Sequence, residues 1–306
     1  MTIDPNATAP KAVAPKAIAV KDARMLSRRL ALALPGLLLG ACGGGAEPVA
    51  ASNPSAGPLL ALPPEAPAQG GLLLGRTRPG SRVTLDGRAV SVAPDGRFAL
   101  GFSRDAAPAA ELVVTAPGGQ TERRSLAVAR REWDVQRING LPGAMVSPNA
   151  QQMARITRER ERIAALRKVD SDLPHFAEGF DWPAHGRISG VYGSQRILNG
   201  EPRAPHLGLD IAAPTGTPCA TMAPGRVLLA EDLYFTGNTV LVDHGHGVVS
   251  LYAHLSAMDV REGAMLARGQ RLGAIGATGR VTGPHLHLGL HWFATALDPQ
   301  PLLPPA

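Results

Sequence analysis

The chain has 306 residues, 44% of them hydrophobic but only 4% aromatic, with 2 cysteines and a formal charge of +6. Two cysteines cannot build a disulfide framework. Six basic and two acidic residues precede Cys42, so only +2 remains for residues 42–306, a mild balance that gives no signal for a nucleic-acid partner.

Residues 1–24 lack any apolar period and read as disordered or as a mis-assigned start. From Met25 the character changes: Arg28 and Arg29 precede an apolar run over 30–40, which closes on Leu39-Gly40-Ala41-Cys42. A positive start, a short apolar stretch and small residues make 25–41 an export signal peptide, with translation expected to begin at Met25. The run falls far short of the roughly 20 residues that span a bilayer. Its end resembles a bacterial lipobox, which implies acylation of Cys42 and attachment to a lipid bilayer without a transmembrane helix. Gly43 stands where the inner-membrane retention signal of such lipoproteins has aspartate, so the resemblance implies a periplasmic chain anchored to the outer membrane. With Cys42 acylated, Cys219 has no intramolecular partner and is expected as a small buried residue.

Residues 42–70, rich in Gly, Ala, Pro and Ser, predict a flexible tether. Over 71–130, short apolar runs separated by Asp86-Gly87, Asp95-Gly96 and Gly118-Gly119 predict a small β-sandwich-like domain. It groups no histidines or carboxylates and reads as a spacer or binding module without chemistry. Residues 131–179 form a connector. Ser147 as cap, Pro148 in the first turn and a stripe of Met153, Ile156, Ile163 and Leu166 predict an amphipathic helix over 148–168, docked on a neighbouring domain rather than in a membrane. From 180 to 301 the runs GRVLLA, NTVLVDHG, VVSLYAHL and HLHLGLHW alternate with glycines and no amphipathic helix interrupts them. That pattern predicts a mostly antiparallel β domain, and the fold class is mainly β.

Two short motifs in this last domain carry chemistry: HLGLD, with His206 and Asp210, and PHLHLG, with His285 and His287. Strand side chains alternate faces, so His285 and His287 share a face, as do His206 and Asp210 if that segment is extended. Each pair can reach one ion. Two imidazoles and one carboxylate with an open fourth position suit a catalytic zinc. One histidine of the second pair is then free to handle protons.

The blocks GRISGVYGSQR, HLGLDIAAPTGTPCATMAPGRVLLAE, NTVLVDHGHGVVSLYAHLS and GQRLGAIGATGRVTGPHLHLGL, in this order over roughly 180–301, resemble the lysostaphin-like, or LytM-type, zinc endopeptidases that cut peptidoglycan peptides. The resemblance implies a Zn2+ cofactor held by His206, Asp210 and His287, with His254 and His285 as catalytic residues in the same pocket. His285 is expected against the water and His254 against the transition state, although the sequence does not separate those roles. Tyr192 is expected at the border of the substrate groove, and Asn238 is expected to order a loop beside it. Since the ligands are supplied elsewhere, His244 and His246 of DHGHG take structural or surface roles. The implied function is zinc-dependent hydrolysis of peptide crosslinks in peptidoglycan. The alternative is a non-catalytic LytM-type regulator that binds and activates a cell-wall amidase, which would make an amidase or the divisome a partner. Regulators of this type have lost metal ligands, and this chain retains all of them.

Overall fold

Alternating apolar residues and frequent turn signals yield strands along most of the chain, and the computed structural model describes residues 58–139, 148–198 and 200–305. The expectations for residues 1–57 (the mis-assigned start, the signal peptide, acylated Cys42 and the first part of the tether) lie outside the described residues, as does Ser147.

The first strands are β1 (Leu60–Ala61), β2 (Leu72–Thr77), β3 (Arg82–Leu85), β4 (Arg88–Val90), β5 (Arg97–Gly101), β6 (Ala109–Thr115) and β7 (Thr121–Ala127). They form two sheets, ordered β1-β2-β5 and β4-β3-β6-β7. Strand β6 alternates strictly, burying Ala110, Leu112 and Val114 between more exposed neighbours. These side chains meet Val83, Phe98 and Leu100 in one core, so the module is a small sandwich. Asp86 and Gly87 both take positive φ, 49° and 77°, the geometry that closes a two-residue hairpin between β3 and β4.

The tether expectation fails over 58–70. Leu59 and Leu60 enter the sandwich core, the Thr77 hydroxyl donates to the Leu59 carbonyl at 2.7 Å, and Ala68 bridges Ala129. Average composition hid two leucines that find an apolar sheet edge waiting for them.

The connector holds a strand, β8 (Val135–Ile138), that its short length concealed, and then helix α1 (Ala150–Leu166). Asn149 caps α1: its side chain accepts from the Gln152 N–H, and the Gln152 side chain accepts from the Asn149 N–H. This capping box starts the helix later than the Ser147-Pro148 signal suggested. Ile156 is buried, and Ile163 and Leu166 pack on Leu229, Leu241 and Leu251 of the following sheet. Met153 departs from the predicted stripe and is 42% exposed. Among the described residues no helix is long and apolar enough to cross a membrane.

The remaining strands are β9 (Arg187–Gly190), β10 (Gln195–Leu198), β11 (Glu201–Pro202), β12 (Leu209–Ala212), β13 (Pro218–Ala220), β14 (Gly225–Leu233), β15 (Gly237–Gly245), β16 (Val248–Met258), β17 (Met265–Leu266), β18 (Arg271–Ile275), β19 (His285–Trp292) and β20 (Thr295–Leu297). Strand β8 adds to β10 in parallel. The main sheet runs β17-β14-β15-β16-β19-β12-β9 with antiparallel pairing throughout. One of its faces buries Leu209, Ile211, Tyr252, Leu286 and Leu288 with Phe176 and Phe180 from the connector end. Cys219 lies in this core, where burial pushes its thiol up to about 12. Trp292 touches both this core and that of the sandwich. Gly101 makes room for it, since a Cβ there would lie 2.7 Å from the Trp292 Cβ.

Candidate metal centre

Strand register brings the first two donors together. Asp210 on β12 is the direct cross-strand neighbour of His287 on β19. Close backbone approach makes space for both side chains: a Cβ at Gly190 would lie 2.4 Å from Asp210 Oδ2, and one at Gly208 would lie 2.5 Å from the His287 ring. His206 precedes β12 in a loop rather than extending the strand. Its N–H donates to the Ser194 carbonyl at 2.8 Å and its carbonyl accepts from Gly193 at 2.7 Å.

The three donor atoms form a small triangle. His206 Nε2 is 3.0 Å from His287 Nδ1 and 3.0 Å from Asp210 Oδ1, and His287 Nδ1 is 2.8 Å from Asp210 Oδ1. A tetrahedral zinc with bonds of about 2.0–2.1 Å places neighbouring ligands about 3.3 Å apart, close to this spacing. Protonation points the same way. His206 Nδ1 faces the Val191 carbonyl at 3.1 Å and must donate to it, which leaves Nε2 with a lone pair directed at the carboxylate. Burial lowers the His206 pKa and keeps the ring neutral. Burial works to raise the Asp210 pKa, but the contacts from His206 and His287 outweigh it and hold the carboxylate well below its usual range. Asp210 Oδ2 also accepts from Arg196 Nη2 at 2.9 Å. Two imidazole nitrogens and an anionic oxygen therefore converge on one point, a donor set suited to a divalent cation.

His254 reaches the site through a β-bulge. Pairing of β15 with β16 shifts between Asn238/Val240, opposite Leu255 and Tyr252, so β16 carries an extra residue there. His254 takes φ 64°, an uncommon backbone for a residue with a side chain, and this re-aims its ring. Its Nδ1 donates to the Thr278 carbonyl at 2.8 Å, leaving Nε2 as the free acceptor. Burial, reinforced by His287 and His285, pushes its pKa down to about 3. The His285 ring lies 4.8 Å from that of His254, its Nδ1 donates to the Gly283 carbonyl at 2.9 Å, and its Nε2 stands 3.8 Å from Asp210 Oδ1. Both imidazoles thus border the donor triangle without joining it.

The other expected site residues divide. The Asn238 N–H donates to Thr278 Oγ1 at 3.0 Å and its Nδ2 to the Leu255 carbonyl at 3.0 Å, which ties down the loop that holds His254. Tyr192 is corrected: it is buried away from the groove, its hydroxyl donates to the Ala296 carbonyl at 2.8 Å, and its ring meets Trp133 edge-on. Burial, with Asp298 next, pushes its phenol up to about 12, consistent with a brace rather than a substrate contact. His244 and His246 are both buried, away from any surface role. His244 Nδ1 donates to the Pro224 carbonyl at 2.7 Å, and the His246 ring lies 4.4 Å from that of Phe176.

Sequence reasoning missed Arg196, which grips the far oxygen of Asp210, and Thr278, whose carbonyl fixes the His254 tautomer. Arg196 lay inside the block GRISGVYGSQR, but only the fold shows which acid it meets. Two cavities flank the triangle. One, of about 160 Å3, is lined by His285, Asp210 and Ser189. The other, of about 630 Å3, runs beneath α1 and is lined by His206, Ile156 and Leu207. His254, His287, Arg196 and Arg280 line both.

An antiparallel sheet presenting two histidines and an aspartate beside two further histidines defines a LytM-type peptidase domain. The family model described as Peptidase family M23 matches residues 204–299. A crystal structure from Pseudomonas aeruginosa that carries the name peptidase M23 is 31% identical, with TM-score 0.59 over 77% of this chain and 94% of that one. The chain belongs to peptidase family M23. It is 44% identical over 105 residues to the peptidoglycan DD-endopeptidase ShyA of Vibrio cholerae, covering 34% of this chain and 24% of that protein. It is 38% identical over 128 residues to the cell division protein DipM of Caulobacter vibrioides, covering 42% of this chain and 20% of that protein. The chain thus spans a quarter or less of the length of these two relatives.

Proposed function

We propose that this protein is a zinc-dependent endopeptidase that hydrolyses peptide crosslinks of peptidoglycan, working in the periplasm and tethered to the outer membrane through acylated Cys42. The observation that carries the reading is the triangle of His206 Nε2, Asp210 Oδ1 and His287 Nδ1, with all donor atoms within 4.8 Å of one another. His206, Asp210 and His287 would hold the ion. Bound there, zinc supplies Lewis acidity and lowers the pKa of a water in the site toward about 7.

The protein's own groups supply the remaining chemistry. Asp210 contributes fixed negative charge, and Arg196 holds its far oxygen in one orientation. His285 Nε2 faces the donor triangle and is placed to take a proton from the attacking water and return it to the leaving amine. His254 shares both cavities with His287, beside the place where charge would develop on the scissile carbonyl. A neutral His254 accepts through Nε2, so it is placed to orient the water or a substrate N–H.

Similarity to a protein named a peptidoglycan DD-endopeptidase supports this substrate class. The test incubates the purified chain with crosslinked muropeptides, with and without a zinc chelator. New amino termini should form, vanish on chelation and return with added zinc. His287→Ala should abolish them. An inert wild type that instead binds and stimulates a separate amidase would replace this reading with the regulator.

A further inference from the structure

The larger cavity has a one-sided electrostatic character. Arg160 and Arg167 of α1 and its end, Arg196 and Arg203 of the β10–β11 hairpin, and Arg280 all line it, and among the described residues no aspartate or glutamate does. This is not a general shortage of acids near the helix. Arg155 of α1 meets Glu159 and Asp232, and Arg162 meets Glu231 and Glu262. The helix therefore sorts its arginines: among the described residues Arg155 and Arg162 find carboxylates, and Arg160 and Arg167, which line the cavity, do not.

Two further observations mark a missing partner. Arg167 Nε is buried with no hydrogen-bond partner among the described residues. His291 lines the same cavity on the strand face that carries His285 and His287, is 5% exposed, and its Nδ1 also has no partner among the described residues. Buried polar atoms are rarely left unpaired, because the lost hydration is not recovered. Burial lowers the Arg280 pKa, and repulsion from Arg196, Arg203 and Arg160 lowers it further, as expected where guanidinium groups gather around one cavity.

We infer that this cavity is an anion pocket that seats a free carboxylate of the peptide being cut, with Arg203 and Arg280 as its principal contacts and His291 at its floor. This deepens the peptidase reading and rests on it for the identity of the ligand. A guanidinium pair fits a carboxylate through parallel N–H bonds, and a cavity of about 630 Å3 can hold a short peptide segment. Because the cavity shares His254 and His287 with the metal centre, a carboxylate seated there would fix the register of the chain across the scissile bond. Arg196, already committed to Asp210, acts as a positioning residue and stays outside the test.

The experiment compares an uncrosslinked muropeptide stem peptide with the same peptide whose carboxylates are converted to carboxamides, titrated calorimetrically into the metal-loaded full chain. Amidation should weaken binding to the wild type at least roughly tenfold. Arg203→Gln combined with Arg280→Gln should bind both peptides as weakly as wild type binds the amide, whereas Arg203→Lys should keep part of the preference. Equal affinity of wild type for the two peptides overturns the pocket. If the double variant fails to melt cooperatively, the wild-type comparison decides alone. Crosslinked peptides separate this idea from the peptidase reading. Cleavage with the same KM for acid and amide forms removes the pocket and leaves the peptidase. Carboxylate-dependent binding with no cleavage at any zinc level leaves the pocket and removes the peptidase.

Discussion

The sandwich and the peptidase domain are built from the same strands and turns, yet they bury different things. In the sandwich the buried polar residues are Thr77 and Ser81, neither of which titrates. The peptidase domain buries His206, Asp210, Asp243, His244, His246, His254, His291 and Asp298. Burying such groups is unfavourable unless they are paired, so the second domain gives up some stability for a preorganised site while the first is held by apolar contact. Loss of function and loss of fold should accordingly respond to different substitutions.

The largest effect is expected at the triangle. Asp210→Asn keeps the shape and removes the charge; bound zinc, measured by elemental analysis, should fall to background, and muropeptide cleavage should fall by at least about 10^3-fold. In the sandwich, Phe98→Ala empties a fully buried position and should cost about 3–5 kcal/mol in urea unfolding. Its folded fraction should bind zinc normally, and a parallel loss of zinc would mean that the two regions are not separable in this way.

Asn238→Ala should slow turnover about tenfold with little change in KM, because it removes the Nδ2 bond to the Leu255 carbonyl, next to His254, rather than a substrate contact. A rise in KM alone would return Asn238 to the groove. In the metal-free protein, acid should weaken the peptidase domain selectively. Burial pushes His244 down to about 4 and His254 down to about 3, so between pH 6.5 and 4 the unfolded chain binds protons that the folded chain refuses. Stability should therefore fall with falling pH by up to about 1.4 kcal/mol per pH unit for each ring, and the urea midpoint of the wild type against His244→Gln tests the slope. The smallest change is expected for Arg162→Ala. Its ion pairs with Glu231 and Glu262 are solvent-exposed, and their loss should shift the unfolding free energy by about 0.5 kcal/mol or less.

Much of the site was legible before the fold. The pairs His206/Asp210 and His285/His287 share ligand chemistry and a strand period, and the order of four sequence blocks resembled one family. Local signals also placed the Asp86-Gly87 hairpin and the buried stripe through Ile156. Segment averages misled where packing decided. Leu59 and Leu60 joined a core inside a stretch read as tether, β8 was too short to show a period, and Asn149 outcompeted Ser147-Pro148 as the start of α1 because Gln152 completes its capping box. Tyr192 sat in a block near His206 and Asp210, but chain proximity did not say which side of the backbone its ring would take.

By itself the sequence determined which side chains could bind one ion, because donor type belongs to the residue and strand alternation belongs to the local backbone. Only the tertiary structure decided that His254 would leave the regular ladder through a bulge, that Arg196 would hold Asp210, and that arginines from a helix, a hairpin and a distant loop would face one cavity. Those outcomes depend on contacts between segments far apart in the chain, whose register is set by packing rather than by any local pattern.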